Sequence, residues 1–161
     1  MLGVAWHSGN LAIRSGGGVS IQDTTTAWLN ALLFANNSAG NFGGGMQIVD
    51  RSRVHMNFTK FHDNRAAVSG GGLHVANGDD LQLTESLFKH NTAHFEKGGG
   101  IHITCSNANI TGVEFEDNVS VDGGGMAISL CPIQLAGSRF VLLNFTYLQF
   151  LYVTVSSPET D

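Results

Sequence analysis

Three features of the chain predict an all-β fold, a parallel β-helix of about five coils. Triple glycines begin at Gly16, Gly43, Gly70, Gly98 and Gly123, at spacings of 27, 27, 28 and 25 residues. Phe-x-x-Asn tetrads recur with a spacing of 27, at Phe34 to Asn37, Phe61 to Asn64, Phe88 to Asn91 and Phe115 to Asn118. Between these landmarks, stretches such as "VHMNF" and "LQLTES" alternate apolar and polar residues, and none keeps a 3.6-residue period long enough for a helix. A repeat of this length marks a solenoid or a propeller; propeller blades need about 40 residues and helical repeats need helices. What remains is a coil of ~27 residues that adds one strand to each of about three parallel sheets, at ~4.8 Å per coil.

Each element of the coil has a physical reason. Residues 1–15 form a partial first coil, in which Asn10 and Ala12 stand one period before Asn37 and Ala39. Residues 16–140 carry the repeats. The triple glycine is the corner where the chain re-enters a sheet, pressed by the coils above and below, so that a Cβ would collide or would forbid a tight turn. Its third member, at Gly18, Gly45, Gly72, Gly100 and Gly125, leads directly into an apolar-variable-apolar triplet: "VSI", "MQI", "LHV", "IHI" and "MAI". That triplet is the first strand, with residues one and three pointing inward. Phe34, Phe61, Phe88 and Phe115 fill the core of a later strand. Asn10, Asn37, Asn64, Asn91 and Asn118 then stack at the next corner, where amide side chains can hydrogen-bond along the stack and satisfy buried backbone groups. A small residue follows two positions on, at Ala39, Ala66, Ala93 and Ser120.

Composition bounds the function. With 161 residues, 42% of them hydrophobic, the chain can build one domain with a core. Only 13% of residues are charged and the net charge is −5, so no clustered cationic surface for nucleic acid is expected. The start, "MLGVAWHSGNLAIR", lacks the basic-then-apolar pattern of a signal peptide. The longest apolar stretch, "FVLLNFTYLQFLYVTV", is short of the ~20 residues a membrane-spanning helix needs. No transmembrane helix is expected. After Gly123 the frame decays: Phe140 is in register, but Leu143 stands where the Asn belongs. Residues 141–161 are therefore expected to form an irregular or non-native tail, and the uncapped first coil suggests a fragment of a longer solenoid.

The Phe-x-x-Asn tetrads alternating with Gly-Gly-Gly-aliphatic, from about Trp6 to Phe140, resemble the repeats of the polymorphic outer membrane proteins of chlamydiae. They also resemble related right-handed, pectate-lyase-like β-helix proteins, although the usual glycine motif there is Gly-Gly-Ala. The resemblance implies a right-handed parallel β-helix in a secreted or surface-displayed passenger, often adhesive. It places the chain at the cell surface, in the outer membrane or outside the cell, with neighbouring coils of a longer chain and a surface glycan or protein ligand as its partners.

Pectate-lyase-like helices include polysaccharide-active enzymes, whose chemistry rests on sets of carboxylates. Asp79-Asp80 is the one Asp-Asp pair and resembles the paired aspartates of polygalacturonases, which need a further carboxylate with His and Arg or Lys partners. In the repeat frame the pair aligns with Ser52 and Arg53 and with Asn107 and Ala108, so no carboxylate stacks beside it, and a solvated turn is expected. His74 and His102 share a column with Ser20, Gln47 and Ala127. Two stacked imidazoles would need a third ligand to hold a metal, and the column is expected to face solvent as an exposed polar ladder. The two variable residues inside each Phe-x-x-Asn read as surface variation.

Two to four residues separate each small residue from the next triple glycine, which leaves little to build the walls of a cleft. Asn36, Asn57, Asn109, Asn118 and Asn144 head Asn-x-Ser/Thr triplets, a weak sign of glycosylation. Cys105 and Cys131 fall at nearly the same point of successive coils, either as stacked thiols or as an inter-coil disulfide. The expectation is a non-catalytic surface or secreted module, adhesive or structural, with no catalytic, metal or cofactor site. The alternative is a fragment of a polysaccharide-active enzyme whose catalytic coils lie elsewhere.

Overall fold

The computed structural model describes residues 5–77, 79–104, 106–129, 133–141 and 151–154. Its strands stack in parallel into four walls rather than the three expected, and the described residues contain no helix. The first wall follows the triple glycines: Val19–Ile21, Met46–Ile48, Leu73–Ala76, Ile101–Thr104, Met126–Ser129 and Leu151–Thr154. The second is Thr26–Asn30, Arg53–Asn57, Asp80–Thr84, Asn107–Thr111 and Ile133–Ala136. The third is Ala5–Ser8, Leu32–Ala35, Lys60–His62, Leu87–Lys89, Glu114–Glu116 and Arg139–Val141. The fourth, of two-residue strands, is Leu11–Ala12, Ser38–Ala39, Arg65–Ala66 and Thr92–Ala93. The fourth wall coincides with the Asn-x-small step, which is too short to show an alternating pattern.

Register follows the repeat. Phe34 lies opposite Phe61, Phe61 opposite Phe88, Phe88 opposite Phe115 and Phe115 opposite Phe140. The four Phe rings from 34 to 115 are buried and stack at centroid distances of 4.8, 4.5 and 5.3 Å. His7 continues the column, stacked on Phe34 at 5.1 Å. Inward aliphatics of the first and second walls, among them Ile48, Leu73, Ile103, Met56, Leu83 and Ile110, close the core around this column.

The glycines divide their work. The first of each run, as at Gly70 with φ of 66°, takes the left-handed conformation that turns the corner. The third is required by space: a Cβ on Gly72 would sit 2.7 Å from the Gly100 carbonyl oxygen and 2.9 Å from the Phe88 ring. Gly18 and Gly45 meet the same obstacles from the next coil, Gly100 is hemmed in likewise, and Gly125 lies in the equivalent corner, where its carbonyl accepts the Ile101 N–H.

The expected irregular tail differs in part. Leu151–Thr154 pairs in parallel with Met126–Ser129 and adds a strand to the first wall. A run rich in Leu, Tyr and Val extends a waiting strand edge even where the Asn and Gly landmarks are lost. Leu143 and Asn144 lie outside the described residues, as do Cys105 and Cys131, so the expectations placed on them stay at the level of sequence.

Candidate functional sites on the solenoid walls

The Asn column forms a continuous internal ladder. Asn37, Asn64, Asn91 and Asn118 are buried, and each Oδ1 of the last three accepts both the backbone N–H and the side-chain NH2 of the Asn one coil before. The other amide hydrogen of Asn64 reaches the Phe34 carbonyl at 2.9 Å, and those of Asn91 and Asn118 reach the Phe61 and Phe88 carbonyls. Asn10, in the exposed first coil, donates to Asn37 Oδ1 from its backbone and its side chain. The buried amides of Asn64, Asn91 and Asn118 are thus spent within the stack.

A second ladder runs where a solvated Asp79-Asp80 turn was expected, and here the structure corrects the expectation. Asp79 is 0% exposed: its Oδ1 accepts the Ser52 N–H at 2.6 Å, and its own N–H donates to Ser106 Oγ. Ser52 Oγ in turn accepts the Thr25 N–H. Asp79 thus occupies a corner position held by serine on the neighbouring coils, and its Oδ2 lacks a hydrogen-bond partner. Burial away from water pushes its carboxyl up to about 6. The alignment with Asn107 and Ala108 is also one residue off: Asp80 pairs with Arg53 and Asn107. The first wall advances by 28 residues at this step, with Leu73 opposite Ile101, but the next connection between first and second walls is one residue shorter, so Asp80 meets Asn107 at a spacing of 27; the following step, Ala108 to Ile133, is 25.

The His74–His102 column is likewise corrected from exposed ladder to buried pair. His74 is 5% and His102 8% exposed, and their rings lie 5.2 Å apart. Phe42, just before the triple glycine of another coil, folds across the outer face of the first wall and stacks on His74 at 4.7 Å. Burial holds both imidazoles neutral, with pKa values lowered to about 3 and about 4; the neighbouring imidazole contributes for His74 and the Lys97 ammonium for His102. His74 Nδ1 and both His102 ring nitrogens lack hydrogen-bond partners.

The outward face of the second wall carries two neighbouring columns of polar side chains. One column reads Trp28, His55, Gln82, Asn109, Gln134. Trp28, 73% exposed, stacks on His55 with rings 5.7 Å apart and 6° from parallel, and His55 Nδ1 meets Gln82 Oε1 at 3.0 Å. In the adjoining column Arg53 pairs with Asp80 at 3.3 Å, and Asn107 donates to the other Asp80 oxygen at 3.1 Å. A shallow groove of about 600 Å³ runs along part of this face, lined by Gln82, Asn109 and Gln134 of the first column and by Arg53, Asp80 and Asn107 of the second. Among the described residues, Asp80 is its one lining carboxylate.

At the end of the third wall, the variable pairs of the Phe-x-x-Asn tetrads bring His62, Asp63 and His90 together. Read as surface variation in the sequence, this cluster was legible only by combining two neighbouring columns, since His90 stands one period after Asp63 and His62 precedes it. Of the Asn-x-Ser/Thr asparagines, Asn36, Asn57 and Asn109 are exposed, whereas Asn118 is buried in the ladder.

The family model for the right-handed β-helix region matches residues 6–131. No curated protein and no solved structure was found to match the chain. With 27-residue coils, parallel walls and that match over most of its length, the chain belongs to the right-handed β-helix family.

Proposed function

We propose that this chain is a non-catalytic β-helix module of a secreted or surface-displayed protein, and that it binds an extended, uncharged glycan along the outward face of its second wall. The observation that carries this reading is the Trp28–His55–Gln82–Asn109–Gln134 column. Parallel stacking sets its side chains ~4.8 Å apart in a straight line, with an exposed indole at one end, the His55 imidazole beside it and the amides of Gln82, Asn109 and Gln134 beyond. A sugar ring has an apolar face for the indole and hydroxyls for the amides. Arg53 is already matched by Asp80, and the chain carries net negative charge, both of which favour an uncharged ligand over a polyanion.

Two further observations support the non-catalytic part. Glycoside hydrolysis ordinarily needs two carboxylates flanking the bond, whereas Asp80 is the groove's one carboxylate among the described residues and Asp79 is sealed in a corner. The surface location rests on the resemblance of the tetrads to polymorphic outer membrane protein repeats. Calorimetric titration with neutral oligosaccharides, comparing the parent chain with Trp28→Ala and Gln82→Ala, tests the binding face. Affinity lost in both variants supports it. Binding unchanged in both, or preferential binding of polyanions, overturns it.

A further inference from the structure

We propose that His62, Asp63 and His90 form a surface site for a divalent transition-metal ion of the zinc class, with Asp117 positioning His90. The site lies at the corner between the third and fourth walls, away from the second-wall groove, and does not depend on the glycan reading.

The backbone of the tetrad builds the cluster. Phe61 and Asn64, on either side of His62-Asp63, are fully buried, one in the ring stack and the other in the amide ladder. The two residues between them are therefore held on a rigid frame and project outward. Adjacent residues of a strand point to opposite faces, but Asp63 has a φ of 54°. That left-handed step swings its carboxylate to the His62 side, and His62 Nδ1 meets Asp63 Oδ2 at 2.7 Å. His90, one coil on and at the same φ of 54°, stacks above Asp63, with Nδ1 3.7 Å from Asp63 Oδ1. Its ring lies 5.4 Å from that of His62.

One ligand atom from each of the three residues falls within 4.8 Å of the others. Points so close share a centre about 2.8 Å or less from each, and zinc–nitrogen and zinc–oxygen bonds of about 2.0–2.2 Å need only small side-chain rotations from there. Two imidazoles and one carboxylate suit a borderline cation; calcium and magnesium prefer all-oxygen shells. The fourth position opens to solvent, since all three side chains are partly exposed.

The next coil supplies the positioning contact. His90 Nε2 lies 3.5 Å from Asp117 Oδ2. With Nδ1 toward the metal, Nε2–H would donate to that carboxylate and fix the ring tautomer, as carboxylates behind metal-bound histidines do. The adjoining column is otherwise engaged, with the Lys89 ammonium 2.7 Å from Glu116 Oε1.

The test is a zinc titration of the tag-free full chain in competition with a chromophoric chelator, alongside His62→Gln, His90→Gln, Asp117→Asn and the control His55→Gln. The expected result is one zinc per chain, affinity reduced at least a hundredfold in His62→Gln and His90→Gln, roughly tenfold in Asp117→Asn, and unchanged in His55→Gln. Thermal melts without zinc should coincide for all five proteins, and zinc should raise the melting temperature of the parent but not of His62→Gln. Absence of stoichiometric binding, or equal losses in His55→Gln and His90→Gln, overturns the site. An unchanged affinity in Asp117→Asn removes the positioning role.

Discussion

Asn64 and Asn91 are joined twice: Asn91 Oδ1 accepts the Asn64 backbone N–H at 3.0 Å and its side-chain NH2 at 2.9 Å. Repeated at each coil, this pair of bonds satisfies a buried corner that no wall pairing reaches. Asn64→Ala is expected to cost roughly 1–3 kcal/mol, since it leaves the Phe34 carbonyl without its amide donor. Phe61→Ala, which opens a gap in the ring stack, should cost about 3–5 kcal/mol. Urea denaturation measures both, and an unchanged midpoint for Asn64→Ala would show that the ladder adds nothing.

The buried histidines set the acid limb of stability. Folding lowers the pKa of His74 to about 3 and of His102 to about 4, from an ordinary value of 6.5. Between these values the unfolded chain binds more protons than the folded one, so stability is full above about 6.5 and is lost as the pH falls toward 3. His74→Gln with His102→Ala, residues already present in that column as Gln47 and Ala127, should flatten this limb. A denaturation series from pH 7 to pH 4 checks it; an acid limb as steep as the parent's would refute the assignment.

Asp79 acts in the opposite direction. Its pKa rises from 3.8 to about 6 on folding, so the folded chain holds the extra proton and stability falls as the pH climbs through that window. Asp79→Ser restores the residue that its column carries at Ser52 and Ser106. It should raise stability at pH 7 by on the order of 1–3 kcal/mol and have little effect at pH 4. A loss of stability at pH 7 would mean that the carboxylate is better satisfied than its buried Oδ2 suggests.

Purified chain is expected to show no lyase or hydrolase turnover on polygalacturonate, with or without calcium. Turnover that disappears in Asp79→Asn with Asp80→Asn would replace the binding module with an enzyme.

The isolated chain is expected to self-associate end to end. Among the described residues, Ala5–Ser8, Val19–Ile21 and Thr26–Asn30 each pair on one side only, and Trp6, Leu11 and Ile13 are exposed on the same coil. Deleting residues 141–161 removes the strand paired with Met126–Ser129 and widens the open edge that Ile133–Ala136 and Arg139–Val141 already present at the other end, which should increase association. Light scattering over a concentration series measures this; monomers at every concentration in both proteins would refute it.

By itself the sequence determined the coil. A period of 27 converts distance along the chain into adjacency across it, so the Phe stack, the Asn ladder and the glycine corners could be assigned from spacing alone. The inward pattern of the second wall was equally legible, because alternation and a constant register lie in the same string of residues. The tertiary structure decided where a side chain meets something outside its own column. His74 is buried because Phe42 crosses the wall from another coil, and the triplet pattern has no place for that crossing. Asp79 is sealed because its corner sits inside the stack, while Asp80, one residue on, reaches Arg53 at the surface. His62, Asp63 and His90 converge because a left-handed step at Asp63 turns neighbours that would diverge on a strand toward the same side. Periodicity fixes which residues stack; backbone handedness at corners, and side chains crossing between columns, fix what those stacks present to solvent.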